Sequence, residues 1–467
     1  MTGVTGAALS RTARQRAGGG AGTIDADLDR AGAANGEMSA SANASRGLRA
    51  KLSAALATAA VRIPARALAT ALTCVLTFVL ATFAPGRNAF AAAIDGAKAA
   101  DTSAVTTGCA ASAWPGWEQF KRDFISVEGR VIDVGSADAR TVSEGQSYAL
   151  FFALVANDRA AFDTILQWTE QNLAQGDLTA HLPAWLWGRA ADGRWAVLDA
   201  NASSDADLWI AYALLEAGHA WHERSYTARG AVLARRVLDE ETARMPGLGL
   251  TLLPGPAGFH PAAEVWRVNP SYMPPQVLRG LATRVPDDPR WPRLLASASR
   301  VLIDTAPRGF APDWALYRAN SGFAPDSQSN AESAYNAIRV YLWAGMLDPR
   351  DRLAPALLSH FAPFASFIAA QGAPPETVDA TTGRASANMG NAGFSAAAVP
   401  FLDARGEHSL ADAQLARAAQ LDRETPAGYY TSVLSLFALG WRDGRYRFAA
   451  DGTLDPHWST SCRAAPQ

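Results

Sequence analysis

Two kinds of helical segment alternate along the chain after Trp114, and this alternation limits the fold more than any other feature. In the first kind, apolar residues run around most of the circumference: Tyr148 to Val155, Leu208 to Leu215, Tyr335 to Met346 and Tyr430 to Leu439. Such a helix escapes water only when it is covered on almost every side. In the second kind the apolar residues form one stripe. Phe162, Ile165, Leu166 and Leu173 make such a stripe, and so do Leu294, Leu295, Ala298, Val301 and Leu302, with Arg and Ser between them. Covered helices inside and striped helices outside, joined as antiparallel hairpins, give an all-α architecture, an α/α barrel. No repeat of fixed length is visible, which argues against a solenoid. Strand signals are few; Arg194 to Leu198 is one candidate for a small ribbon at a barrel end.

This architecture decides where chemistry can sit. Successive inner helices are separated by one antiparallel outer helix, so they run parallel and their N-termini share a pole. Glu144, Asp205 and Asn336 each stand at or near the start of an inner helix and are expected to meet there despite their separation in sequence. Each has a local alternative. Thr141-x-x-Glu144 fits a capping box, in which the Glu satisfies a backbone N–H. Flanking Gly145-Gln-Ser147 is not required by a cap and favours chemistry for Glu144. Ser204 can cap the next helix, and Asp205 and Asp207 suit the positive end of a helix dipole. Positions two apart do not share a helix face, so one Asp is expected in the cleft and the other in a cap or pair. Two carboxyl groups at one mouth match glycoside cleavage: one protonates the departing oxygen, others handle water and the sugar ring. Apolar neighbours such as Tyr148 and a second nearby carboxylate would raise the pKa of the acid.

Large aromatics stand in Pro- and Gly-bounded loops: Trp185 and Trp187 in Leu182-Pro-Ala-Trp-Leu-Trp-Gly188, Tyr272 in Asn269-Pro-Ser-Tyr272, and Trp314 in Ala311-Pro-Asp-Trp314. Each either lines the cleft or packs a rigid corner. With Tyr335 and Arg339 they form the expected substrate-binding set.

The chain has 467 residues and a formal net charge of −2. That balance argues against nucleic acid, which requires a basic surface, and suits a neutral polymer such as a glucan. The seven His are scattered and no CxxC occurs, so no metal site or cofactor is expected. Residues 1–66 read as a disordered basic leader, 67–92 as the apolar region and cleavage site of an export signal, and 93–108 as a linker. Arg62 and Arg66 precede the apolar run and Ala89-Phe-Ala-Ala-Ala93 follows it. Cleavage near Ala91 would release a periplasmic or secreted domain, 109–467, with no stable membrane contact. The alternatives are a start at Met38 or an uncleaved anchor. Cys74 would leave with the signal. Cys109 and Cys462 would remain, either as a disulfide joining the termini or as two free thiols.

Together the segments resemble glycoside hydrolase family 8 and, within it, the periplasmic endoglucanases encoded with bacterial cellulose synthase. The likeness runs from about Cys109 to Cys462. Its blocks include Trp114-Pro-Gly-Trp117, Ser143-Glu-Gly-Gln-Ser-Tyr148, Leu182-Pro-Ala-Trp-Leu-Trp-Gly188, Ser204-Asp-Ala-Asp207, Asn269-Pro-Ser-Tyr272, Pro312-Asp-Trp314 and Ala337-Ile-Arg-Val-Tyr341. The resemblance implies an (α/α)6 barrel and endo-acting hydrolysis of β-1,4-glucan with inversion, in association with a cellulose synthase complex. It implies that Glu144 is the general acid and that Asp205 helps distort the sugar at the cleavage point. Inversion needs a base about 6.5–9.5 Å from the acid, with room for water. In the cellulase branch that base is an Asp directly before Ala-Ile-Arg-Val-Tyr, whereas this chain has Asn336. An amide oxygen is too weakly basic to take a proton from water at neutral pH. Either another carboxylate serves, Glu332 (one helical turn before Asn336 and so on the same face) or Asp326 in the preceding loop, or the protein chiefly holds glucan. The substitution also leaves chitosan or another β-glucan open as substrate.

Overall fold

The computed structural model of the chain describes residues 113–459. The expected leader, export signal, linker and the Cys109–Cys462 pair lie outside the described residues. In chain order the helices are α1 (Pro115–Phe124), α2 (Ser143–Val155), α3 (Arg159–Leu173), α4 (Ser204–Ala220), α5 (Arg224–Glu240), α6 (Pro275–Arg284) and α7 (Arg290–Asp304), followed by α8 (Ala337–Gly345), α9 (Ala354–His360), α10 (Ala362–Gln371), α11 (Ala392–Ala404), α12 (His408–Glu424) and α13 (Tyr429–Arg442). Helix α8 is shorter than the apolar run from Tyr335 to Met346 because its cap falls at Asn336.

Six of these helices form an inner ring. Helix α2 packs on α4, α4 on α6, α6 on α8, α8 on α11 and α11 on α13, and α13 returns to α2. Outer helices α1, α3, α5, α7, α9 and α12 each pack on one member of that ring. The architecture is thus the (α/α)6 barrel expected from the sequence. Short connections enforce the hairpins: residues 156–158 join α2 to α3 and 221–223 join α4 to α5, lengths at which consecutive helices turn back on each other.

Burial follows composition. Every residue of α2 except Glu144 is buried, as is all of α4 from Ser204 to Gly218. Outer α7 buries only Trp291, Leu294, Ser297, Ala298, Val301 and Leu302, a single stripe. The barrel centre is aromatic. Phe151 stacks on Phe437 at 5.4 Å, Trp209 meets Trp343 at 5.4 Å, and Phe437 lies edge-on to Trp343 at 5.1 Å. Each fully buried side chain of this size contributes roughly 1.5–3 kcal/mol. Several buried polar groups are paired across helices. Glu216 of α4 takes two bonds from Arg284 of α6, at 2.9 and 2.8 Å. Asp158 caps α3 by accepting from the Ala161 amide and also holds Trp117 and Lys121 of α1.

The strands are short and belong to the connections. β1 (Thr141–Val142), β2 (Ala184–Arg189) and β3 (Trp195–Ala202) make one antiparallel sheet, with Thr141 opposite Trp187 and Val142 opposite Leu186. The ribbon expected at Arg194 to Leu198 is therefore present, extended to Ala202. β4 (Thr242–Met245) pairs with β5 (Gly249–Leu252). β6 (Val265–Val268), β7 (Ala315–Arg318) and β8 (Gly322–Pro325) form a second three-stranded sheet. β9 (Glu332–Ser333), β10 (Val378–Asp379) and β11 (Arg384–Ala385) form a third, and β12 (Tyr446–Phe448) pairs with β13 (Leu454–Pro456).

Helices α8 and α11 come very close at Gly345. A Cβ there would lie 2.2 Å from the Phe401 nitrogen and 2.4 Å from the Pro400 carbonyl carbon, backbone that cannot step aside. Gly345→Ala is expected to lower the denaturation midpoint by the equivalent of about 1–3 kcal/mol, the usual range for overpacking. The control is Gly428→Ala, where the added Cβ meets nothing within 4 Å and only a cap effect of about 1 kcal/mol or less is expected.

Candidate active site

Chain entry into α2 is fixed from outside the helix. The Thr141 hydroxyl donates to the Val131 carbonyl at 2.6 Å and accepts from Arg130 Nε at 2.8 Å, and the cap position is Val142. The capping-box reading of Thr141 and Glu144 therefore fails, because both partners are engaged elsewhere. The residues after Glu144 have structural tasks. Gln146 reaches back to the Val131 amide at 2.6 Å and to Thr169 at 2.9 Å, while Ser147 donates to the Glu144 carbonyl. Gly145 leaves room for Tyr429, whose hydroxyl would stand 2.9 Å from a Cβ at that position. Thus the Glu144 carboxylate is free to point across the barrel mouth.

There it meets Arg339, in the first turn of α8. Arg339 Nη1 donates to Glu144 Oε2, to Asp205 Oδ2 at 3.1 Å and to the Tyr148 hydroxyl at 3.0 Å. Its Nη2 donates to Asn336 Oδ1 at 2.7 Å and to Ser271 Oγ at 3.0 Å. One guanidinium, only 2% exposed, thus gathers the N-termini of α2, α4 and α8. Glu144, Asp205 and Asn336 border the same small volume. Both Nη atoms of Arg339 are committed to protein groups, while its buried Nε has no partner among the described residues.

Each carboxyl group has its own environment. Asp205 Oδ1 accepts from Ser203 Oγ and from the Ala206 amide, both at 2.8 Å. Ser203, not Ser204, occupies the cap position of α4, and the buried Ser204 hydroxyl has no partner. Asp207 turns away from the mouth and lies fully buried against Glu241. Burial, then the neighbouring acidic groups, push both carboxyls well above the ordinary range. Glu144 keeps one-fifth of its side chain exposed. Burial raises its pKa, Arg339 pulls it down, Asp205 raises it again, and bonds from Tyr429 and Arg339 lower it; the net shift is upward. A carboxylic acid that stays protonated above its usual range is what proton donation to a leaving oxygen needs.

The cap of α8 comes from a distant residue. Asp313 Oδ1 accepts the amides of Ala334 at 2.8 Å, Asn336 at 3.1 Å and Ala337 at 2.7 Å. Burial raises its pKa to about 6 against the opposing pull of those amides. This arrangement corrects the placement of Glu332. It does not lie one helical turn before Asn336 on a common face. It stands in β9, opposite Asp379, and its carbonyl accepts from the Asp313 amide. Asn330 and Ala331 just before it have positive φ values of 52° and 58°, which no helix accommodates. Asp326 is buried and bound by Arg267 at 2.9 Å and by Ser329.

The aromatic residues divide. Tyr272 lies 5.5 Å below the Arg339 guanidinium and 6.0 Å from Trp314. Trp314 is 4% exposed and packs between Arg267, at 3.9 Å, and Phe259. Tyr335 is half-buried and donates to Glu376 Oε1 at 3.4 Å. Trp185 stands half-buried on β2. Trp187 belongs to another group, with Trp195 stacked on it at 5.1 Å, Arg130 at 4.3 Å and Trp168 edge-on. The sequence reading did not single out Asn269, Ser271, Asp313 or Tyr429 individually. Three of them lie inside the quoted blocks, but nothing in their spacing says that they converge on α8.

Known proteins resemble this chain over most of its length. A family model described as "Glycosyl hydrolases family 8" matches residues 94–444. The chain is 48% identical over 355 residues to an endoglucanase of Escherichia coli O157:H7, a match covering 76% of this chain and 94% of that protein. The crystal structure of an endo-1,4-D-glucanase from Vibrio fischeri ES114 is 43% identical, with a TM-score of 0.70, over 74% of this chain and 99% of the other. That of the endo-β-1,4-glucanase CMCax from Acetobacter xylinum is 26% identical, with a TM-score of 0.58, over 72% and 98%.

The electrostatics generate a test. The Tyr429 hydroxyl donates to Glu144 Oε1 at 3.4 Å and stabilises the ionised form. Tyr429→Phe should therefore raise the pKa of Glu144 and move the alkaline limb of kcat/KM to higher pH. The bond is long, so a shift of up to about one unit is expected. An unchanged or acid-shifted limb would remove Glu144 from the role of proton donor.

Proposed function

The chain belongs to glycosyl hydrolase family 8, and we propose from the Arg339 cluster how its residues divide the work. Its activity is that of a glycoside hydrolase, an endo-1,4-β-glucanase. A glucan chain lies across the mouth where α2, α4 and α8 begin. Protonated Glu144 gives its proton to the glycosidic oxygen as the bond to the anomeric carbon breaks. Water attacks that carbon from the opposite face, so the configuration inverts. Asp205, held by Ser203 and Arg339, contacts the sugar at the cleavage point and favours its distorted ring. Trp185, Tyr272, Trp314 and Tyr335 line or back the path of the chain. The observation that carries this reading is one buried guanidinium binding Glu144, Asp205 and Asn336 together.

Asn336 stands where the proton acceptor is expected, and an amide does not accept that proton. Glu332, half-buried on β9 beside the Asp313 cap, is the candidate for the task. Asn336 also favours a second reading, a glucan-holding protein with slow turnover. Export by the N-terminal signal, a periplasmic or secreted location and work beside a cellulose synthase complex complete the proposal. They are supported by the leader's residue pattern and by the resemblance to endoglucanases encoded with that synthase.

Glu144→Gln should lower release of reducing ends from carboxymethylcellulose by about 10²–10⁴-fold, the span for loss of a general acid. Full activity in that variant would remove the assignment. Two further variants separate the readings. If Glu332 accepts the proton, Glu332→Gln lowers turnover by about tenfold or more and Asn336→Asp changes it little. If the protein mainly holds glucan, Asn336→Asp raises turnover by about 10²-fold or more and Glu332→Gln has no effect.

A further inference from the structure

The amide of Asn336 has two ends, and the surrounding bonds decide which one faces the mouth. The decision starts at a group that cannot be turned over. The Ser271 backbone N–H donates to Asn269 Oδ1 at 3.0 Å, and the Ser271 hydroxyl adds a second bond at 2.8 Å. Asn269 is fully buried, so its oxygen must face Ser271 and its NH2 must face the other way. That NH2 donates to Asn336 Oδ1 at 3.0 Å. Arg339 Nη2, which has no acceptor capacity, donates to the same oxygen at 2.7 Å. Two donors fix the Asn336 oxygen inward. Turning the amide over would set its NH2 against both of them. Its nitrogen donates to none of the described residues, and the side chain is half-exposed at the mouth.

We propose that Asn269 is a positioning residue that acts through Asn336, holding it with its NH2 toward the cleft, and that this NH2 donates to a hydroxyl or ring oxygen of the bound glucan. Residue 336 is then a grip on the sugar and takes no part in moving the proton of water. A carboxylate at this position presents an acceptor to water; this amide presents a donor to the substrate. The inference rests on the glucanase reading of the same mouth and deepens it, since it states which end of the residue the substrate meets.

The test uses cellopentaose with the whole protein, reading KM and kcat from hydrolysis and Kd from calorimetry. Asn336→Ala removes the donor. Asn269→Asp keeps an acceptor for Ser271 but sets a carboxylate oxygen against Asn336 Oδ1, so only Arg339 Nη2 still holds that oxygen inward and the orientation of the amide is no longer fixed. Asn269→Ser serves as a second variant, keeping a cap oxygen and removing only the NH2. Each single variant is expected to raise KM and Kd about 5–10-fold, the effect of one lost hydrogen bond. The double variant Asn269→Asp with Asn336→Ala should be no weaker than Asn336→Ala alone, because the first residue acts through the second. Multiplying effects in the double variant would overturn the inference. So would an Asn336→Ala enzyme whose KM is unchanged while its turnover falls by about 10²-fold or more, since that would place residue 336 in the handling of water. A wild-type protein that neither binds nor cleaves cellopentaose would overturn the glucanase reading as well, whereas cleavage with additive variants would sink this inference alone.

Discussion

The site depends on a positive charge held almost entirely out of water. A buried guanidinium is unfavourable unless acidic partners and hydrogen bonds surround it, and removing one partner leaves the others unpaired. Arg339 meets that requirement with Glu144, Asp205, Asn336, Ser271 and Tyr148. These groups come from three inner helices and from the turn at Pro270–Tyr272. The charge and the barrel mouth therefore define each other: the helices deliver the acceptors, and the cation fixes where their first turns stand.

This pairing also explains why one carboxyl can be the acid. With Glu144 protonated, Arg339 and Asp205 are one cation and one anion side by side. With Glu144 ionised, a second negative charge joins the same half-buried volume. The Asp205 charge opposes that ionisation and Arg339 eases it, and with burial the net effect holds the pKa above the ordinary value. The two carboxylates differ in role because their surroundings differ. Asp205 has the Ser203 hydroxyl and the Ala206 amide on one oxygen, donors that fix where its carboxyl group stands. A carboxylate at 336 would add another acidic group to Arg339. The amide takes a bond from Arg339 Nη2 but adds no negative charge beside the other two.

The barrel and the meeting of residues 144, 205 and 336 were legible in the sequence because they follow from periodicity. Helices apolar on all sides must be covered, and hairpin connections put their starts at one end. What was not legible depends on long-range partners. Thr141 and Glu144 have the spacing of a capping box, yet the hydroxyl is taken by Val131 and the carboxylate by a residue 195 positions away. Glu332 has helical spacing to Asn336, yet Asp313, from another loop, caps α8 and stops the helix short. Arg339 sits in a motif that suggested contact with substrate, and its burial is set by partners from α2, α4 and Ser271. Local pattern names the elements; it does not say which distant group will occupy a given hydrogen bond.

Tyr148 joins the two levels. Its ring packs edge-on against Trp209 at 5.8 Å and Phe437 at 5.0 Å, within the aromatic centre of the barrel, and its hydroxyl receives Arg339 Nη1. The position of the guanidinium is thus tied to the packing of α2, α4 and α13. Protein cores are close-packed and resist small displacements, and catalytic geometry is lost over about an ångström. A loosened core would therefore reach the chemistry through Arg339 before it reached the fold. The aromatic centre belongs to the active site as much as to stability, because it keeps a buried cation from moving relative to the acid that it controls.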